Sequence, residues 1–157
     1  MKKSIKKGFS FGLTSGIITT LGLIVGLYSI TESKLAILGG ILVIAIADAL
    51  SDAMGIHISE ESDKKNSEKE IWEATFSTLF SKFIFALSFV IPILLFSLGI
   101  AVIVNIIWGI FLMTILSYMI GKRNGDVPYK VILEQLVITI FVIAITYYVG
   151  KGVRVFG

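Results

Sequence analysis

Five long apolar runs constrain the fold of this 157-residue chain more than any other feature. About 20 consecutive apolar residues cross a hydrocarbon core of about 30 Å as an α-helix. The runs therefore predict five membrane-spanning helices, with a short acidic segment at residues 57–75 between the second and the third. The predicted spans are residues 9–30, 35–56, 76–98, 100–120 and 131–150.

The composition supports the same class of protein. Hydrophobic residues make up 55% of the chain and charged residues 16%, whereas a soluble domain has about 45–50% apolar and about 25% charged residues. Small size does not explain the difference, because a small soluble domain has more surface and needs more charge. We therefore expect an all-α, polytopic membrane protein that forms a single transmembrane domain. The absence of cysteine excludes disulfides and thiolate metal sites.

The third and fourth runs form one apolar stretch, from Phe83 to Ile120. It is too long for a single span at about 1.5 Å of rise per residue. We expect a break near Gly99 that creates a tight helical hairpin. Pro92 lies inside the third span and is expected to kink it, because proline cannot donate a helical hydrogen bond.

The positive charges predict the orientation of the spans. Eleven lysines and arginines, Lys82 among them, fall on the N-terminal side of this topology, and three fall on the opposite side. Basic residues are enriched in cytoplasmic loops, so we expect a cytoplasmic N-terminus and an external C-terminus. The basic N-terminus followed by a run long enough to span indicates a retained first helix rather than a cleaved signal. Because these charges mark topology, we expect the lipid bilayer of a cell membrane as a partner and no nucleic acid.

The first predicted span carries small residues at helical spacing on two faces. Such faces allow helix backbones to approach closely in lipid. They predict a central helix packed on two sides, with a symmetry mate as one candidate partner. The alternative is that glycine is simply common in membrane helices. One face contains Gly8, Gly12, Gly16 and Thr20, and the other contains Ser15, Thr19, Gly22 and Gly26.

Two aspartates interrupt the second span. Each carboxylate at bilayer depth costs about 2.5–3.5 kcal/mol on insertion scales. Asp48 and Asp52 lie one helical turn apart on one face, flanked by Ser51. Such a pair suits a hard divalent cation, or a site in which like charges keep one carboxyl protonated. Together these interpretations predict exchange of a metal ion for protons.

Two structural alternatives remain for the aspartates. They would pair with a lysine or arginine on another helix, or Asp52 would be solvated at the interface. We favour the functional pair, since this topology places no lysine or arginine at a span centre.

Other candidate ligands lie near the cytoplasmic end of the second span. Met54 offers a soft thioether and His57 a ligand or proton relay, although a gap-filling methionine and a solvated histidine are the simpler interpretations. The acidic segment is expected to concentrate cations, or else to be a solvated loop and helix start. Glu134 is a third candidate intramembrane carboxylate, or an interfacial residue near the N-terminus of its own helix. The acidic candidates are Glu60, Glu61, Glu70 and Glu73.

Motifs for enzymatic chemistry are missing from the sequence. It contains no Gly-rich phosphate loop and no metalloprotease motif, and His57 is its only histidine. We therefore expect a protein that is not an enzyme and that binds no resident cofactor.

Four motifs, taken in order, resemble the vacuolar iron transporter family over nearly the whole chain. "SGIITTLGLIVG" resembles the signature of that family's first span, and "ADALSDAMGIHIS" resembles its second-span motif. "EATFSTLFSKFIFALSFVIPILLF" is similar to its third span with the internal proline, and "AITYYVG" to the end of its fifth. The resemblance implies a homodimer that exports Fe²⁺, and often Mn²⁺, in exchange for protons, along a pathway between the first two spans.

The chain departs from that family's pattern at the residues that matter most. Ser15 stands at the family's first-span aspartate, Asp52 at its second-span methionine and Ile56 at its glutamate. The family's cytoplasmic metal-binding domain is reduced to about residues 60–73. The resemblance thus implies an oxygen-rich site, for Mn²⁺ or Ca²⁺ as readily as for Fe²⁺.

Two hypotheses follow from the sequence. The first is a homodimeric, proton-coupled divalent-cation transporter with Asp48 and Asp52 as ligands. Ser15, Thr19, Ser51 and Glu134 would line its pathway. The second is a non-transporting membrane assembly or scaffold protein whose aspartates stabilise an oligomer.

Overall fold

The computed structural model describes residues 2–125 and 127–156, and within them it contains α-helices and no strands. The third and fourth helices follow one another as a single span, so five helical segments are long and apolar enough to cross a membrane. The predicted fold class is confirmed. The helices are α1 (Lys3–Thr31), α2 (Lys34–Glu61), α3 (Glu68–Ser88), α4 (Val90–Leu95), α5 (Leu98–Asn124) and α6 (Pro128–Arg154).

Local signals in the sequence set the ends of these helices. The Ser33 side chain caps α2 by accepting a hydrogen bond from the Ala36 backbone N–H. Ser67 and Glu70 form a reciprocal capping box at the start of α3. At the end of α5, Gly125 adopts a positive φ of 77°, a conformation that glycine reaches without steric cost. The capping box of Ser67 and Glu70 makes α3 begin at Glu68, well before the predicted start of the span at Phe76.

Contacts between distant residues show how the ends of the bundle are arranged. At one end, Lys2 Nζ lies 2.6 Å from Glu73 Oε1. At the other end, Arg154 Nη1 lies 2.9 Å from Glu32 Oε1. The two termini therefore lie at opposite ends of the bundle, as an odd number of spans requires. The end that contains Lys2 is the predicted cytoplasmic end.

Helix α1 is the central helix and packs on two sides, as its small residues predict. A Cβ at Gly8 would overlap the carbonyl oxygen of Ala74 in α3. On the other face, a Cβ at Gly22 would lie 3.2 Å from Val142 Cγ1 in α6. Both partners thus belong to the same chain. Within this chain α3 and α6 cover the two faces, so neither face needs a symmetry mate to cover it.

Pro92 breaks the third span, as predicted. Because proline has no N–H, the helical hydrogen bond to the carbonyl of Ser88 is lost. Just before the break, the Phe89 N–H donates to Ala86 O, three residues back, at 3.2 Å. The Asn105 side chain on α5 donates to the carbonyl oxygen of Phe89 at 3.2 Å. The hairpin turn lies at Phe96 and Ser97. It therefore precedes the predicted position at Gly99 by two or three residues.

Candidate cation site

Lys82 on α3 forms ion pairs with two aspartates on α2. Its side chain is only 1% exposed, and it lies fourteen residues after the first residue of α3. Its ammonium nitrogen lies 2.5 Å from Asp48 Oδ2 and 2.5 Å from Asp52 Oδ2. It also donates to Ser15 Oγ at 2.9 Å. We call these four residues the charge cluster.

Three helices supply the charge cluster. Asp48 and Asp52 lie one turn apart on α2, so that both carboxylates face the same point on α3. Close approach of α1 brings Ser15 to that point. A Cβ at Gly16 would lie 3.3 Å from Lys82 Cγ, so the lysine stem runs along the glycine. The cluster therefore forms only when α1, α2 and α3 pack together.

The structure corrects the sequence analysis at this position. We assigned Lys82 to the cytoplasmic side and placed no lysine at a span centre, and that assignment is wrong. Lys82 lies within α3, inside the predicted span of residues 76–98, and pairs with both aspartates. Pairing of the aspartates with a basic residue on another helix, which we had considered the weaker interpretation, is the arrangement found.

The hydrogen-bonding capacity of the ammonium is matched in the cluster. A lysine ammonium has three N–H donors, and three oxygen atoms surround it. Two carboxylates and one ammonium leave a net charge of about −1 in a low-dielectric region. The Asp48 and Asp52 side chains are 32% and 21% exposed. The carboxylates are therefore partly exposed, whereas the ammonium that they contact is buried.

The other predicted ligands of the second span do not join the charge cluster. Met54 lies on the exposed side of α2. His57 Nδ1 lies 3.0 Å from Thr75 Oγ1, and its ring packs edge-on against Trp72 at 4.6 Å. His57 thus has hydrogen-bonding and aromatic partners on α3. The exposure of Met54 agrees with a methionine that is not a ligand, whereas His57 is only partly exposed and is not the merely solvated histidine of the simpler interpretation.

The acidic segment is tied to basic and polar groups at the predicted cytoplasmic end. Glu60 is buried, forms an ion pair with Lys7, and accepts a hydrogen bond from Asn66 at 3.1 Å. Glu73 accepts hydrogen bonds from Lys2 at 2.6 Å and from Ser4 at 2.8 Å. The hydrogen bond to Glu73 raises the pKa of Lys2 above its usual value. These contacts fasten the start of α1 to α2 and α3.

The remaining acidic candidates occupy structural or surface positions. Glu70 belongs to the capping box of α3, and Glu61 and Glu134 are exposed. Across residues 2–125 and 127–156, no three His, Asp or Glu side chains are grouped as a metal site would require. Of the eight predicted ligands, the structure brings only Asp48 and Asp52 together.

Small residues also line a face of α2 that no part of the described chain covers. Nothing lies within 4 Å of a Cβ built at Gly39 or at Gly55. The exposed α2 face therefore borders the two partly exposed carboxylates. This face consists of Gly39, Val43, Ala47, Ser51, Gly55 and Ser59, all of which are exposed.

The predicted pathway residues Ser15 and Thr19 both lie near the middle of α1, beside the charge cluster. Ser15 contacts Lys82, and the Thr19 hydroxyl donates to the carbonyl oxygen of Ser15 at 2.8 Å. Both are partly buried. Thr19 is therefore adjacent to the cluster through the backbone of Ser15.

No protein-family model matches the chain, and no curated protein matches it. The resemblance to the vacuolar iron transporter family thus stays a prediction based on the four motifs.

Proposed function

We propose that this protein is a membrane transporter that moves a divalent cation such as Mn²⁺ or Fe²⁺ in exchange for protons. One observation carries the proposal. Inside a membrane-spanning bundle, Asp48 and Asp52 direct carboxylate oxygens at one point that already holds a positively charged group. Ionisable residues at this depth are costly and usually mark ion pathways.

The chemistry of the oxygens supports a hard cation as the substrate. Hard divalent cations take carboxylate, hydroxyl and carbonyl oxygens as ligands, at about 2.3–2.6 Å for Ca²⁺. Asp48 and Asp52 would supply the charged ligands, and Ser15 would supply a neutral one. Both carboxylates are partly exposed, so a cation would not need to pass through the buried ammonium to reach them.

The exposed α2 face supports a homodimer as the transporting unit. In a monomer this face would put Ser51, Ser59 and the exposed part of Asp48 against lipid, where polar groups lack partners. Small residues permit close packing of a second helix. A second copy of α2 would cover the carboxylates and leave a polar path between the two subunits.

Loss of both carboxylates is expected to abolish transport. In proteoliposomes with an acidic interior, we expect the wild-type protein to drive Mn²⁺ uptake. The triple variant Asp48→Asn, Asp52→Asn, Lys82→Met should reduce uptake to that of empty vesicles. It removes the ligands together with their ammonium partner and so leaves no unpaired charge in the bundle.

A carboxylate outside the charge cluster provides the control. Glu32 is exposed and pairs with Arg154 at the far end of the bundle, so Glu32→Gln should transport at the wild-type rate. Uptake by the triple variant at the wild-type rate would show that Asp48 and Asp52 are not the site.

Cysteine cross-linking tests the homodimer. The chain has no cysteine of its own, so Ser51→Cys introduces a single thiol on the exposed α2 face. If two copies of α2 meet there, oxidation in the membrane should give a disulfide-linked dimer on a non-reducing gel, because a disulfide needs Cα atoms within about 7 Å.

A lipid-facing position serves as the comparison for cross-linking. Ile103 on α5 is 59% exposed, and Ile103→Cys should stay monomeric under the same oxidation. Equal cross-linking at both positions, or none at Ser51→Cys, would contradict a dimer through α2.

A second candidate function is a membrane assembly or scaffold protein that does not transport. The ion pairs of Lys82 with both aspartates favour the non-transporting part of this candidate, because they give the aspartates a structural role that needs no metal ion. This candidate predicts that the purified protein binds no metal, and that Asp48→Asn with Asp52→Asn loses its oligomeric state in detergent. Stoichiometric metal detected by X-ray fluorescence in the purified wild-type protein would exclude it.

A further inference from the structure

We propose that Lys82 acts as a tethered competitor, whose ammonium occupies the cation site and must withdraw before a divalent cation can bind. The inference rests on the proposed function and adds a control element to it. Lys82 would then set the affinity and charge selectivity of the site.

The geometry around the ammonium is that of a bound cation. Its nitrogen lies at 2.5–2.9 Å from two carboxylate oxygens and one hydroxyl. These are the oxygen types that a hard metal ion prefers. A metal ion with Asp48, Asp52 and Ser15 as ligands would occupy the place that the ammonium holds. The two cations therefore exclude one another.

Among the residues that the structure describes, Lys82 is the basic residue that forms ion pairs with these two carboxylates. From α2 only Asp48 and Asp52 face it, and from α1 the hydroxyl of Ser15 does. His57, the titratable group closer to the predicted cytoplasmic end, contacts Thr75 and Trp72 instead. The charge of the site thus changes from about −1 to about −2 when Lys82 leaves, which selects a divalent over a monovalent cation.

The lysine side chain is suited to withdrawal. It is a flexible four-carbon stem with a compact charge, and it packs beside Gly16, a residue without a side chain of its own. The two carboxylates are partly exposed. An incoming cation can therefore reach the carboxylates before the ammonium has moved away.

Mn²⁺ binding to the purified protein in detergent tests the inference. We expect Lys82→Met to bind Mn²⁺ at least tenfold more tightly than the wild-type protein in calorimetric titration. Lys82→Arg, which keeps a positive charge in the cluster, should bind no more tightly than the wild type. Lys69→Met, which removes an exposed lysine from the same helix, should also match the wild type.

A second variant guards against misfolding of Lys82→Met. Combining Lys82→Met with Asp48→Asn keeps the net charge of the cluster at about −1 and frees the carboxylate of Asp52. It should bind Mn²⁺ more tightly than the wild type and less tightly than Lys82→Met. If neither variant without the lysine binds Mn²⁺ more tightly than the wild type, Lys82 is not a competitor.

The outcomes separate this inference from the proposed function. Tighter binding by Lys82→Met, lost on further replacement of both aspartates by asparagine, supports the competitor even if the wild type moves no Mn²⁺ in proteoliposomes. Transport by the wild type together with unchanged affinity in Lys82→Met overturns the competitor and leaves the transporter standing.

Discussion

Lys82→Met is expected to lower the free energy of unfolding by about 3 kcal/mol, since breaking a buried ion pair by removing one partner costs about 3–5 kcal/mol. The lower end of the range applies because Asp48 and Asp52 are partly exposed. Unfolding in mixed detergent micelles, followed by circular dichroism, measures the change.

Restoring charge neutrality should recover most of that loss. The triple variant with Asp48→Asn, Asp52→Asn and Lys82→Met contains no unpaired charge, so it should be clearly more stable than Lys82→Met alone. If Lys82→Met unfolds at the same denaturant concentration as the wild type, the ion pairs do not contribute to the folded state.

Gly12→Leu is expected to disrupt the packing of α1 against α3. A Cβ at Gly12 would lie 2.5 Å from the carbonyl oxygen of Thr78 and closer still to Ser81 Oγ. Overpacking of a well-packed core typically costs about 1–3 kcal/mol, and occasionally more. We expect the upper end here, because the obstacle is backbone. Thermal unfolding followed by size-exclusion chromatography should show a lower melting temperature and aggregation.

A glycine in an open position is the matched control. Nothing lies within 4 Å of a Cβ at Gly39 on α2. In detergent, where a second copy can be diluted away, Gly39→Leu should therefore leave the melting temperature of the monomer unchanged. If Gly12→Leu also left the melting temperature unchanged, α1 and α3 would not be in close contact at Gly12.

The membrane fold was predictable because the bilayer imposes lengths on the sequence. Apolar runs of about 20 residues admit one interpretation, and Pro92 marks a break for a local steric reason. The helix ends were less predictable. α3 extends back to Glu68 through the capping box of Ser67 and Glu70, and hydropathy does not detect such a cap.

The error at Lys82 has a different origin, because the predicted span of residues 76–98 already contains Lys82. Counting Lys82 with the cytoplasmic residues follows the rule that lysines mark that side, and it conflicts with the bounds of the span itself. Thr75, Thr78 and Lys82 recur at spacings of three and four residues and form one buried face of α3. A polar face of this kind within an apolar run was the available signal. That this face of α3 pairs with α2 could not be predicted from the sequence, because the contact depends on how the helices pack.

The sequence predicts that Asp48 and Asp52 lie together, but it does not predict the contacts of the nearby acidic segment. Helical periodicity places Asp48 and Asp52 on one face, and the structure brings them together. The acidic segment carries no comparable constraint. Glu60 and Glu73 are held by Lys7 and Lys2 from the start of α1, and sequence spacing cannot predict contacts between residues so far apart.

The hydrogen bond from Asn105 to Phe89 also bears on how the chain enters the membrane. An open backbone carbonyl in hydrocarbon costs several kcal/mol, and Pro92 leaves the carbonyl of Ser88 without its helical donor. Beside this break, Asn105 on α5, the next helix to be synthesised, donates to the carbonyl of Phe89. The third span is therefore less stable in lipid on its own. We expect it to insert into the bilayer together with α5, as a preformed pair of helices.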